Sequence, residues 1–305
     1  LLHHSGAVFE HRALCLVQFM SWKRKLGTAL HDYVLAKIEQ RACAATGGQV
    51  QIQSFVLHLL TMTADACGIT IRGSEPKSAP PLVRADHLTV RLKIVSLLRR
   101  KVDFNEIILR HPVVNLQVRS DGTTNLPCRP PINCLRNIFD LGIQRLLLTN
   151  GEIYYNDVKT PLDAELHDLQ LEIKSEFASH RYGGTLSYRD GCLQYCNLKP
   201  LAHDLRASFE ASPSEFTLKP LVLTIASSAV QLEGNVQNYS SPKADGTYKI
   251  TIHPRDFRSV LKSPSISTGE LTLTGSLHYQ PAAEDGESCT AGPPRRTAIA
   301  DGKAA

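Results

Sequence analysis

PLVRADHLTVRLKIVSLLRRKVDFNEIILRHPVVNLQVRSDGTTNLP, residues Pro81 to Pro127, carries three strand signals in succession. Leu88, Val90, Leu92 and Ile94 alternate with Thr89, Arg91 and Lys93. A basic break at Arg99-Arg100-Lys101 follows, and then an apolar run from Val102 to Leu109. Beyond His111-Pro112, Val114, Leu116 and Val118 alternate with Asn115, Gln117 and Arg119, and Asp121-Gly122 closes the stretch. Period-two alternation predicts strands with one apolar and one polar face. The pattern points to a surface rather than to a chemistry.

Working outward, the chain has 305 residues, 42% apolar and 21% charged, enough for one or two ordinary folded domains. Aromatic residues are sparse, with Trp22 the one tryptophan, which argues against a stacking platform for single-stranded nucleic acid. The net charge of +5 is spread along the chain, without the dense basic stripe that a nucleic-acid partner calls for. Eight cysteines (Cys15, Cys43, Cys67, Cys128, Cys134, Cys192, Cys196 and Cys289) include no C-x-x-C pair. The apolar patch Ala13 to Trp22 is roughly half the ~20 residues a membrane span needs, and it lacks a signal-peptide cleavage pattern.

Residues 1–21 read as an irregular N-terminus and residues 22–48 as an amphipathic helix. Leu26, Leu30, Val34 and Ile38 recur at every fourth position, and Gly47-Gly48 stops the pattern. From 49 to 280 the period is that of strands. Asn150-Gly151, Asp190-Gly191 and Asp245-Gly246 each sit between apolar alternations, as does Asp121-Gly122, and each predicts a hairpin turn. His253 to Leu261 reads as a short helix entered through Pro254. Residues 281–305 read as a disordered tail.

The expected fold is mainly β: an antiparallel meander of about a dozen strands, roughly 60 Å across. So wide a sheet must twist, curl or split, and its apolar face must be covered. With one long helix to hand, the cover is a second sheet, barrel closure or a nonprotein apolar ligand. A last strand at Gly269 to Tyr279 would leave an exposed edge, which predicts a fragment of a longer, repeat-like protein.

Several segments, in this order, resemble the N-terminal region of the AsmA family, which includes the TamB-type translocation and assembly proteins. They are ATGG (Ala45 to Gly48), VQIQSF (Val50 to Phe55), GITIRG (Gly68 to Gly73), PLVRADHLTVRLKIVSLL (Pro81 to Leu98), IILRHPVVNLQVRSDGTTNLP (Ile107 to Pro127) and LLLTNGEIYYNDVKTPL (Leu146 to Leu162). The match covers most of residues 26 to 162 and continues more weakly to Tyr279. The resemblance implies a long curled antiparallel β-sheet forming an open-ended, U-shaped groove, as in bridge-like lipid-transfer proteins. It also implies a periplasmic, inner-membrane-anchored protein that carries phospholipid toward the outer membrane. The family's anchor is not visible in Leu1 to Met20, and its long C-terminal continuation does not follow Tyr279. Membrane association is expected of the full-length protein.

The partners expected are phospholipid acyl chains. The residues expected to line the groove are Leu88, Val90, Leu92, Ile94, Val114, Leu116, Val118, Ile153, Tyr155, Leu169, Leu171, Ile173, Leu221, Leu223, Ile225, Leu271 and Leu273, with the strand parity that faces the groove left open. Apolar alternation suffices for this task, because each buried methylene contributes about 0.8 kcal/mol without a polar contact. No enzyme activity, cofactor, metal or nucleic-acid partner is expected. His87, His111, His167, His203 and His253 lack zinc-protease spacing, and three of the aspartates that could suggest a glycosidase precede glycine in predicted turns. Cys192 and Cys196, about 13 Å apart along one predicted strand, read as free thiols. Cys128 and Cys134 share a Pro-rich loop and could pair in an oxidising compartment. The alternative function is assembly of outer-membrane β-barrel proteins through an exposed strand edge. A third class, a β-solenoid enzyme acting on polysaccharide, would need an acidic cluster on an open face.

Overall fold

The computed structural model describes residues 35–36, 38–40, 42–43, 46–58, 60–92, 104–127, 143–176, 181–261, 269–280 and, as backbone, 297–304. Its strands are β1 (Gln49–His58), β2 (Thr63–Arg72), β3 (Val83–Leu92), β4 (Phe104–Val118), β5 (Arg145–Asp157), β6 (Leu162–Glu176) and β7 (Arg181–Tyr195). The series continues with β8 (Leu201–Ala211), β9 (Glu215–Ile225), β10 (Ser228–Gln237), β11 (Lys243–Ile252), β12 (Leu271–Gln280) and β13 (Thr297–Ala304). All belong to one sheet whose strand order is the order of the sequence, and β1 and β13 do not meet, so the sheet is not closed. A 3-10 turn (Pro254–Phe257) runs into the four-residue helix α1 (Arg258–Leu261) between β11 and β12. The period-two pattern of residues 49 to 280 thus gives the mainly β architecture it predicts.

The meander is not antiparallel throughout. β4 and β5 run parallel, with Leu109 opposite Leu148 and Val114 opposite Ile153. The chain leaves β4 at one end of the sheet and re-enters β5 at the other. Parallel neighbours need a crossover of a dozen residues or more, and the connection from 119 to 144 supplies it. Within that connection, Phe139 and Leu141, which alternate with Ile143 in the sequence, lie outside the described residues.

Three of the predicted hairpin turns are not turns. Asn150-Gly151, Asp190-Gly191 and Asp245-Gly246 lie inside β5, β7 and β11. Asn150 (φ 54°) and Asp190 (φ 53°) do take the left-handed backbone that Asn and Asp tolerate, but inside a bulge. Gly68 (φ 63°) in β2, His111 (φ 49°) in β4 and Asp168 (φ 49°) in β6 do the same. At each of these residues the apolar alternation changes phase. In β6 it runs Leu162, Ala164, Leu166 and then Leu169, Leu171, Ile173; in β5 it runs Leu146, Leu148 and then Ile153, Tyr155. Without the bulge, such a one-residue change would throw half of each strand's apolar side chains onto the wrong face. With it, the two halves face the same way. The core shows this directly, because Ala66 and Ile69, on either side of Gly68, belong to one cluster with Phe55 and Ala85.

The cluster also receives Leu35 and Ile38 from the N-terminal helix. That helix ends at Gly47, whose φ of 72° and N–H bond to the Cys43 carbonyl (2.9 Å) form a left-handed cap. Two of its side chains then close the outer edge of β1. The N–H of Val50 donates to Cys43 Sγ (3.2 Å), and that of Ile52 donates to Glu39 Oε1 (2.8 Å). A free strand edge invites pairing with other chains, and these contacts blunt it.

The corner after β4 is built on Asn125, only 1% exposed. Pairing with β3 ends at Val83 opposite Val114, which leaves the following residues of β4 without a strand on that side. Asn125 takes the strand's place. Its Oδ1 accepts the Gln117 N–H (2.9 Å), its Nδ2 donates to the Asn115 carbonyl (2.7 Å), and its own N–H donates to the Gln117 carbonyl (3.1 Å).

Residues 297–304, read above as part of a disordered tail, form β13 and pair with β12 from Gln280 opposite Thr297 to Leu273 opposite Ala304. An unpaired β12 edge is a template for such a strand. Cys196 is also misplaced by the sequence reading: β7 ends at Tyr195, and Cys196 (φ 50°) sits in the turn beyond it, so the two thiols do not share a strand. Both are free.

Candidate functional site

Residues opposite one another in a ladder share a face, so the registers trace each face across the sheet. One line starts at Leu57 in β1 and passes through Ala64, Val90, Ile107, Leu146 and Ile173. It continues through Gly184, Phe209, Leu218, Gly234, Gly246 and Leu277 in β12. Every member is aliphatic, aromatic or glycine. None of them is buried by the protein; ten are half-buried, and Leu57 and Leu277 at the ends are exposed.

The next line, on the other face, has the opposite chemistry. It runs through Thr63, Arg91, Glu106, Arg145, Lys174 and Gly183, then Glu210, Thr217, Asn235, Asp245 and His278. Its charges are paired: Glu106 lies 3.1 Å from both Arg91 and Arg145, and Arg145 reaches Glu172 at 2.9 Å. Hydrogen bonding to Glu172 holds the Arg145 guanidinium above its ordinary range. The sheet is therefore two-faced at single-residue resolution over the eleven strands from β2 to β12.

Of the residues expected to line a groove, Ile94 lies outside the described residues. Leu88 and Val90 share the apolar face with Leu171 and Ile173 through the ladder β3 to β6. Val114 and Leu116 pair with Ile153 and Tyr155, and Gly151 pairs with Leu169. Leu221 and Leu223 face Leu232 and Val230, while Leu271 and Leu273 face Ile252 and Ile250. Val118 continues this alternation opposite Asp157, and Ile225 ends it opposite the buried Ser228. Leu92 ends β3 opposite Phe104, past a register shift. Missing from the expectation were Ile107, Leu146, Phe209 and Leu218, all in the unbroken line. The phase change at His111, Asn150 and Asp168 was the signal that would have included the first two.

Glycines widen this face in two places. A Cβ on Gly184 would lie 2.3 Å from Cζ of Phe209, so the glycine lets that ring lie flat and stack with Phe216, centroids 5.8 Å apart. Gly234 and Gly246 oppose each other, and a Cβ on either would meet backbone oxygen within 2.9 Å. Around this pair lies a hollow of about 380 Å³ lined by Phe216, Leu218, Val236 and Leu277.

A hollow of about 520 Å³ at the bulge line on the polar side is ringed by Asp86, His111, Asn150, Glu152 and Asp168. His111 straps it, with Nδ1 2.7 Å from Asp86 Oδ2 and Nε2 3.4 Å from Glu152 Oε1. Tyr154 donates to Glu152 (2.8 Å), which with His111 holds that carboxyl below its ordinary range despite desolvation. A glycosidase acid needs the opposite shift. Among the described residues, no three His, Cys, Asp or Glu side chains stand together as a metal site. The Asp86 hydrogen bond, opposed by desolvation and aided by Glu152, raises His111 above its ordinary 6.5. A raised histidine stabilises the fold fully below that value and loses its contribution as pH climbs through the folded pKa. The thermal midpoint of the chain minus that of His111→Gln should therefore be largest below pH 6.5 and shrink as pH rises above it. A pH-independent difference would contradict the strap.

No family model and no curated protein matches this chain. The functional reading therefore rests on the two faces themselves. Among the described residues, no helix is long and apolar enough to cross a membrane.

Proposed function

We propose that the chain is a non-enzymatic, AsmA-like carrier of phospholipid, whose acyl chains lie along the apolar face of a curled sheet between two membranes of a cell envelope. The observation behind this reading is the unbroken apolar line from Leu57 to Leu277, which no described part of the protein buries. An open sheet of thirteen strands spans roughly 60 Å, and that face would be unstable in water without an apolar occupant. Acyl chains suit it because the line offers apolar area and no directional polar group, so occupants can shift along it. The charged opposite face keeps the same sheet wettable.

The alternative, assembly of outer-membrane β-barrel proteins by strand addition, is disfavoured at one edge. A strand joining β1 would first have to displace Glu39 and Cys43 from the Ile52 and Val50 amides.

Expression in a Gram-negative host, purification without detergent and lipid extraction test the proposal. Mass spectrometry should find glycerophospholipid at a molar ratio of about one or more per chain. Lipid-free protein that also fails to take up a fluorescent phospholipid would refute it.

A further inference from the structure

The β1–β2 hairpin combines features found nowhere else in the described molecule. From Ala42 to Ala64 the sequence contains no Asp, Glu, Lys or Arg, the longest such run in the chain. Edge strands ordinarily carry charge as protection. Here the amides of Val50 and Ile52 are guarded by the helix, while the far end of the hairpin presents bare apolar side chains. Leu60 is 98% exposed, Val56 49% and Leu57 44%. The tip is braced, since the Leu92 N–H donates to the Met62 carbonyl (2.9 Å) and Met62 holds a φ of 50°. The next carboxylate along the sequence, Asp65, accepts from the Thr89 hydroxyl (2.7 Å) and lies 3.5 Å from His58.

We infer that this tip inserts into the interface of a lipid bilayer, with Leu60 as the anchor. Three observations favour lipid over a protein partner. Three exposed side chains are far too few for the roughly 1,000 Å² that a stable protein interface buries, whereas one apolar plug suffices for interfacial seating. The uncharged run puts no fixed negative charge at the tip, so an anionic surface does not repel it. Leu57, beside the tip, is also the first residue of the apolar line, so a seated tip brings that line to the bilayer surface. The inference extends the proposed lipid route but does not require lipid to occupy the sheet.

The test is flotation of the full chain with vesicles of phosphatidylethanolamine and phosphatidylglycerol (3:1), alongside Leu60→Glu and Leu60→Phe. Because Leu60 is almost fully exposed, both variants should fold as the parent does. Leu60→Glu should lower the vesicle-bound fraction at least tenfold, and Leu60→Phe should preserve it. Equal binding by Leu60→Glu, or no binding by the parent chain, overturns the inference whatever lipid co-purifies. Binding through Leu60 by a chain that retains no lipid would uphold the tip and remove the carrier. A dimer dissolved by Leu60→Glu, without vesicle binding, would replace the bilayer with a second copy of the chain.

Discussion

Aspartate at Ile173 or Leu218 is expected to lower the phospholipid retained by the purified chain at least tenfold while leaving it folded. Ile173 lies between Leu146 and Gly184, and Leu218 between Phe209 and Gly234, each midway along the apolar line. In the empty protein either carboxylate would be half-exposed and hydrated. An acyl chain laid over it would strip that hydration, a cost of about 1–3 kcal/mol for an unpaired polar group and more for a charge. Each 1.4 kcal/mol is a factor of ten in occupancy. Gln231→Asp makes the same change on the exposed opposite face, across from Lys249, and should retain lipid as the parent does. Equal retention by all three variants would show that the apolar line carries no lipid.

Asn125→Ala is expected to cost about 3 kcal/mol and lower the thermal midpoint by roughly 10 °C. The change orphans the Gln117 N–H and the Asn115 carbonyl at the corner where β4 runs beyond β3. Asn125→Asp keeps the acceptor for Gln117 but sets a carboxylate oxygen against the Asn115 carbonyl. It should be worse than alanine at pH 7 and recover partly in acid, as protonation restores a donor. A midpoint within 2 °C of the parent for Asn125→Ala, read by circular dichroism, would mean that water replaces the side chain without loss.

Much of this fold was legible because a half-buried strand writes its two faces into alternate residues. The turn at Asp121-Gly122 was legible for the same local reason. Asn150-Gly151 and Asp190-Gly191 misled because a two-residue turn and a bulge make the same demand, a positive φ, and only the pairing on either side tells them apart. The parallel step at β4–β5 was not legible, since strand direction depends on where the connection from 119 to 144 lands. Nor was the common face of Leu88, Val114 and Leu169, whose sequence parity differs until the bulges at His111 and Asp168 are counted. Asn125 stood in a quoted motif, but its role depends on where β3 stops.

Because each strand pairs only with its predecessor and successor in the sequence, the sheet is quasi-one-dimensional. Its stability is approximately a sum of nearest-neighbour terms, as in a solenoid, and no ladder among the described strands joins the two ends. Opening should proceed like a zipper from the two outermost strands, with the interior of the sheet surviving longest. Such a sheet can be lengthened or shortened by whole strands without a new core having to be invented, so its span is a quantity that evolution can tune almost continuously.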